Sequence, residues 1–186
     1  MHRIWKFLFF SIIAAYGLYY APFGINETDG GFLTGLAWQL LNGKILYADV
    51  VYVRPPLPVW LRALEWHLLP EQYAVLGERW IFYAKVACYS WLGAAVLTQG
   101  ARRWMLAVFG FVVSAHCYPA AAWHTVDGIL FGALSIWCWT NGRFRGSADL
   151  AGVGMAACLL CKQSFYKMGE FWGGAGLSKY VKGRGG

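Results

Sequence analysis

Trp80-Ile-Phe-Tyr-Ala-Lys85-Val-Ala-Cys88-Tyr-Ser-Trp91-Leu-Gly-Ala-Ala-Val-Leu97-Thr-Gln-Gly100 is an apolar run with one charge and no proline. Its length suffices for a helix across a hydrocarbon core of about 30 Å. Similar blocks lie on either side. Ile4 to Phe23 precedes it, and Trp104 to Ala122, Ile129 to Thr140 and Leu150 to Cys161 follow. Five apolar blocks in one chain predict an all-α polytopic membrane protein with about five transmembrane helices.

Composition agrees. Of 186 residues, 59% are hydrophobic and 13% charged, whereas soluble domains run nearer to half apolar and a quarter charged. The 11 Trp suit rings gathered at membrane interfaces. The net charge of +7 does not point to nucleic acid. The basic residues sit in short groups between apolar blocks rather than on one solvated face.

That spacing orients the chain. His2, Arg3 and Lys6 flank the first block, Arg102-Arg103 separates the second from the third, and Arg143 and Arg145 separate the fourth from the fifth. The positive-inside rule puts all three groups in the cytoplasm, giving a multi-pass protein of the inner (plasma) membrane with a cytoplasmic N-terminus. The first block is too long for a signal-peptide core and has no small-residue cleavage site after it. Gly24 to Arg79 and the connector Ala121 to Asp127 then share the outer face. Lys85, inside the second span, is expected to snorkel toward the outer interface.

The five cysteines fall within or at the end of apolar blocks, where a thiol acts as a small hydrophobe. Cys158 and Cys161 have C-x-x-C spacing without a second pair, so a disulfide framework or metal site is not expected. Lys162 to Gly186 is Gly-rich and basic, and its composition predicts disorder. The chain divides into a membrane domain, 1–165, and a tail, 166–186.

The outer segment holds most of the acids: Glu27, Asp29, Asp49, Glu65, Glu71 and Glu78. Two surface helices are expected there. One runs from Gly31 to Leu41 and stops at Asn42-Gly43. The other runs from Pro56 to Leu69, with Leu57, Trp60, Leu61, Leu64 and Leu68 at helical spacing around Arg62 and Glu65. Two charges in so short a stretch suit an interface better than a span. Asp29 has two readings: the cap of the first surface helix, or a carboxylate with chemistry to do. Trp123-His124-Thr125-Val126-Asp127-Gly128 brings another carboxylate to the same face. His67, His116 and His124 read as hydrogen-bonding residues rather than ligands.

Gly30-Gly31-Phe32-Leu33-Thr34-Gly35-Leu36-Ala37-Trp38-Gln39-Leu40-Leu41-Asn42-Gly43, then Tyr47-Ala48-Asp49 and Arg54-Pro55-Pro56-Leu57, form an ordered set. With Glu78-Arg79 opening the second span, the set resembles the N-terminal part of the GT-C membrane glycosyltransferases. It is nearest to the family 39 protein mannosyltransferases, the lipid A aminoarabinose transferases and the bacterial RgtA/B/C/D-like group. The likeness runs from Ile4 to Phe165. It implies inverting sugar transfer from a polyprenyl-phosphate donor to a lipid, glycan or protein acceptor at the outer membrane face. It makes Asp29 the catalytic carboxylate, with Glu27, Asp49, Arg54, Asp127 and Lys162 as candidates for substrate binding.

No metal ligands can be named, although a divalent cation would be compatible with the family. Where that family often has Asp-Glu, this chain has Asp29-Gly30. The chemistry needs a carboxylate to take the acceptor hydroxyl's proton and cations to stabilise the departing phosphate. Arg54 and Lys162 are the candidates for the cations; their bland readings are a solvated loop residue and an interfacial anchor. Family members continue with further spans, so a truncated or frame-shifted product would account for the change after Phe165, and such a chain could be inactive alone. The rival class is a non-catalytic polytopic membrane protein, either a partner subunit or a lipid-binding scaffold, in which Asp29 only caps a helix. No broken helix or mid-membrane carboxylate suggests a transporter.

Overall fold

The first apolar block folds as α1 (His2–Ala15) and continues through a π-helical turn at Tyr16–Tyr20. The structure, a computed structural model, describes residues 2–23, 29–121, 123–142 and 146–167, without the side chains of His2, Asp29 and Glu71. Glu27, Arg143, Arg145 and the expected tail from residue 168 onward lie outside the described residues.

Two helices follow in the acidic segment, α2 (Asp29–Leu41) and α3 (Leu57–Leu68). Gly43, at φ 84°, ends α2. Its N–H bonds Leu40 O at 3.0 Å and the Lys44 N–H bonds Gln39 O at 3.0 Å, the paired closure for which a left-handed glycine is best suited. Pro56 caps the start of α3, where a missing N–H costs nothing. The 44–56 connection is ordered by its own bonds. The Asp49 carboxylate accepts the Ile45 N–H at 2.8 Å, and the Tyr47 hydroxyl donates to Arg54 O at 2.6 Å. Leu33, Leu36, Leu46, Val50, Tyr52 and Val59 form a small core under this segment.

Four longer elements complete the fold: α4 (Ala74–Leu97), α5 (Gly100–Cys117), α6 (His124–Asn141) and α7 (Ser147–Cys161). The described residues form an all-α structure with no strand, save one isolated bridge between Leu46 and Val50. One helix among them, α4, is long and apolar enough to cross a membrane, and α7 is a shorter apolar helix.

Boundaries differ from the hydropathy pattern where charge or proline intervenes. Helix α4 starts six residues before Trp80 and includes Glu78 and Arg79, because both are satisfied by partners on other elements. Arg102 and Arg103 are not a connector but lie in the first turn of α5, with only Thr98 and Gln99 between the helices. Helix α5 ends at Cys117, two residues ahead of Pro119, which disfavours helix just before it. His124 to Asp127, expected in a connector, forms the first turn of α6.

α4 packs on α5 and α6, α6 on α7, and α1 on α5. Their core is aromatic: Phe9, Phe82, Tyr83 and Phe111 are buried with Val86 and Val126. The two ends of the bundle are chemically distinct. At one end Lys6 lies 5.8 Å from the Trp104 ring, Arg103 lies 5.8 Å from the Trp91 ring, and Trp91 meets Trp137 at 6.5 Å. At the other end Arg79 donates to the carbonyls of Ala21 and Phe23 at 2.6 and 2.9 Å. There α2 and α3 gather with the start of α6 and the end of α7.

Candidate functional site

The acidic-loop end of the bundle holds a row of three adjoining pockets. The first, about 90 Å³, is lined by Gly30, Gly31 and Thr34 of α2, by Glu78 and Arg79 of α4, and by Ala120 and Ala121. The second, a tight pocket, shares Glu78 and Ala121 with the first and Trp123 with the third. The third is larger, about 360 Å³, and is lined by Arg54, Pro55, Trp123, His124, Lys162, Gln163 and Ser164. That volume falls in the range of about 300–1,000 Å³ typical of small-ligand clefts.

Three segments distant in sequence build the third cavity. Arg54 enters from the loop before α3, and the Tyr47 hydroxyl bond holds its backbone. Tyr47 itself has φ 72°, a left-handed conformation costly for a residue with Cβ, and its N–H bond to Val50 O at 3.0 Å helps to keep it there. His124, 3% exposed, is stacked on Trp123 with ring centroids 5.3 Å apart, and a ring nitrogen lies 3.3 Å from Arg54 Nη1. Lys162 follows α7, and its Nζ donates to Thr125 Oγ1 at 3.0 Å. Gln163 Nε2 donates to Val53 O at 3.4 Å, tying this corner to the Arg54 loop. Two cations therefore face one cleft. A guanidinium offers a planar fork to an oxyanion and an ammonium offers a point charge, so the cleft suits a phosphate.

Beneath it runs a chain of ion pairs. Arg62 of α3 bonds Glu78 of α4 and Glu65 of its own helix, the latter at 3.1 Å. Lys85 of α4 meets Glu65 at 2.5 Å and Asp127 of α6 at 2.5 Å. Arg62 is 1% exposed and Asp127 is 3% exposed. Lys85 is thus satisfied by two carboxylates from other elements, one on α3 and one in the first turn of α6.

The residues singled out in the sequence fare differently. Arg54 and Lys162 share the large cavity, and Asp127 lies just beneath it, bound to Lys85. Asp49 is exposed and closes its own turn. Glu27 and the Asp29 side chain lie outside the described residues, although Asp29 opens α2 immediately before the two glycines of the small pocket. His116 bonds Tyr16 Oη at 3.2 Å, a hydrogen-bonding role. Among the described residues no three His, Cys, Asp or Glu side chains are grouped to hold a metal ion.

Sequence reasoning missed Arg62, Glu65, Glu78 and Thr125 as part of this region. A charge within an apolar block was the available signal, because such a charge needs a partner at its own depth. Outside the helices, burial pushes the Tyr52 hydroxyl up to about 12, and it has no hydrogen-bond partner among the described residues. No family profile, curated protein or solved structure matches this chain.

Proposed function

We propose that this chain is a multi-pass inner-membrane protein of the GT-C glycosyltransferase type, which binds a polyprenyl-phosphate-linked sugar at its outer face. The observation that carries this reading is the convergence of Arg54, His124 and Lys162, from three separate segments, on one cleft of about 360 Å³. A lipid phosphate is the anion best matched to a cationic cleft at the end of an apolar bundle. The outward side chains Phe7, Phe10, Phe109, Val113, Val153 and Leu160 are exposed, which suits lipid contact for α1, α5 and α7 as well as α4. Exposed Trp38 and Trp60 on α2 and α3 suit an interfacial position. The basic groups gathered at the opposite end support a cytoplasmic N-terminus.

In the transfer step, an acceptor hydroxyl oxygen bonds to the anomeric carbon, and the bond from that carbon to the phosphate oxygen breaks. Asp29 takes the hydroxyl proton. The polyprenyl phosphate leaves with the electron pair, and Arg54 and Lys162 stabilise its charge. Inversion at the anomeric carbon follows from a single displacement.

The test is transfer of labelled sugar from a panel of polyprenyl-phosphate sugars in membranes carrying the chain. Wild type should turn over, and Asp29→Asn should lose about a hundredfold or more. Equal turnover by both would remove Asp29 from the chemistry. A second reading, a non-catalytic lipid-phosphate scaffold, is favoured by Asp127 being held in an ion pair. It predicts binding of the lipid phosphate without turnover in either protein.

A further inference from the structure

The first turn of α6 touches three cations from three different elements. His124 meets Arg54 of the loop at 3.3 Å, Thr125 meets Lys162 beyond α7 at 3.0 Å, and Asp127 meets Lys85 of α4 at 2.5 Å. His124 and Asp127, three residues apart, lie on one side of the helix, and Thr125 points about 100° away from His124. Two of the cations line the cleft. The third, Lys85, is half-buried beside it.

The Lys85–Asp127 pair is a costly feature by itself. Removing two charges from water offsets most of what their attraction returns, and fixing an arrangement is what such pairs are best known to do. Here the arrangement is specific. Asp127 is one helical turn from His124, so anchoring its carboxylate to Lys85 fixes the rotation and height of that turn. Glu65 bonds the same ammonium at 2.5 Å and links it through Arg62 to Glu78, so the anchor cannot swing.

We propose that Lys85 is a positioning residue. Acting through Asp127, it sets the first turn of α6 so that His124 and Thr125 hold the Arg54 and Lys162 head groups at a spacing that accepts one phosphate. This rests on the lipid-phosphate reading of the cleft. It assigns Asp127 to holding the turn rather than touching substrate. Discrimination between a phosphorylated and an uncharged polyprenol is therefore set at a residue that faces neither.

The experiment measures equilibrium binding of a polyprenyl monophosphate and of the unphosphorylated polyprenol to the chain in nanodiscs. Wild type, Lys85→Met, Lys85→Arg, Thr125→Val and Arg54→Gln are compared, with helicity recorded for each. Lys85→Met should weaken phosphate-lipid binding about tenfold, the worth of one charge-assisted hydrogen bond, and leave polyprenol binding unchanged. Lys85→Arg should restore most of the loss. Thr125→Val, which keeps the shape and removes the Lys162 partner, should show a loss of the same kind even where Lys85→Met fails to fold. If Arg54→Gln weakens phosphate binding while Lys85→Met and Thr125→Val match wild type, the positioning role is overturned and the cleft assignment stands. If wild type does not prefer the phosphate over the alcohol, the cleft assignment fails and this role falls with it.

Discussion

Arg62 of α3 donates to the Glu78 carboxylate of α4, and the Arg62 side chain is 1% exposed. This bond joins a surface helix to the bundle, and the guanidinium also serves Glu65. Replacing Arg62 by Met takes the guanidinium from the buried Glu78, while Glu65 keeps Lys85. Removal of one member of a buried pair costs about 3–5 kcal/mol. Chemical unfolding in micelles should show a loss of that size, and Arg62→Met/Glu78→Gln should be less destabilised than the sum of the single variants. A wild-type midpoint for Arg62→Met would show that the pair holds nothing.

Gly154 brings α7 against α6 so closely that an added Cβ would lie 3.2 Å from the Phe131 carbonyl oxygen and 3.3 Å from Ser135 Cβ. The same contact carries the Ser135 hydroxyl bond to Ala151 O at 2.6 Å. Gly154→Ala should destabilise by about 1–3 kcal/mol, the usual cost of overpacking. Thermal unfolding followed by circular dichroism reads it directly, and an unchanged midpoint would mean that the two helices are not in this contact.

Tyr47 holds the backbone of Arg54 through a hydroxyl bond of 2.6 Å. Tyr47→Phe removes that bond and keeps the ring. Binding of a phosphorylated polyprenol should weaken by severalfold, in line with a hydrogen bond worth about 1 kcal/mol, with the fold intact. Identical affinity would show that Arg54 needs no such support.

Tyr52 is buried, and its hydroxyl is pushed up to about 12. An unfolded tyrosine ionises near 10, so the folded state keeps a proton that the unfolded state releases. This contribution to stability is fully present below about pH 10 and is lost as pH rises toward about 12. Tyr52→Phe should flatten that part of the stability–pH curve. An equally steep fall in the variant would assign the effect to other groups.

Hydropathy revealed the helical class and the approximate place of every long helix, because apolar blocks are a local property. The starts of α4 and α6 were not legible. Glu78, Arg79 and Asp127 look like reasons to end an apolar helix until their partners are known, and those partners lie 16 to 58 residues away along the chain. The partners of Lys85, Glu65 and Asp127, were not legible either. Arg54 and Lys162 could be named from residue type and position, but that both would face His124 across one cleft depends on how α6 and α7 pack. Asp49 shows the reverse: its carboxylate is committed four residues away, to the Ile45 amide, a local role that competes with any part in a site.

The cleft between Arg54 and Lys162 is proposed to receive a lipid-linked phosphate. Native mass spectrometry of the chain with a polyprenyl monophosphate, comparing wild type with Arg54→Gln/Lys162→Gln, tests it most directly. Wild type should hold one bound lipid, and affinity should fall about a hundredfold or more when both charge-assisted contacts are removed. Equal occupancy of wild type and the double variant would contradict it.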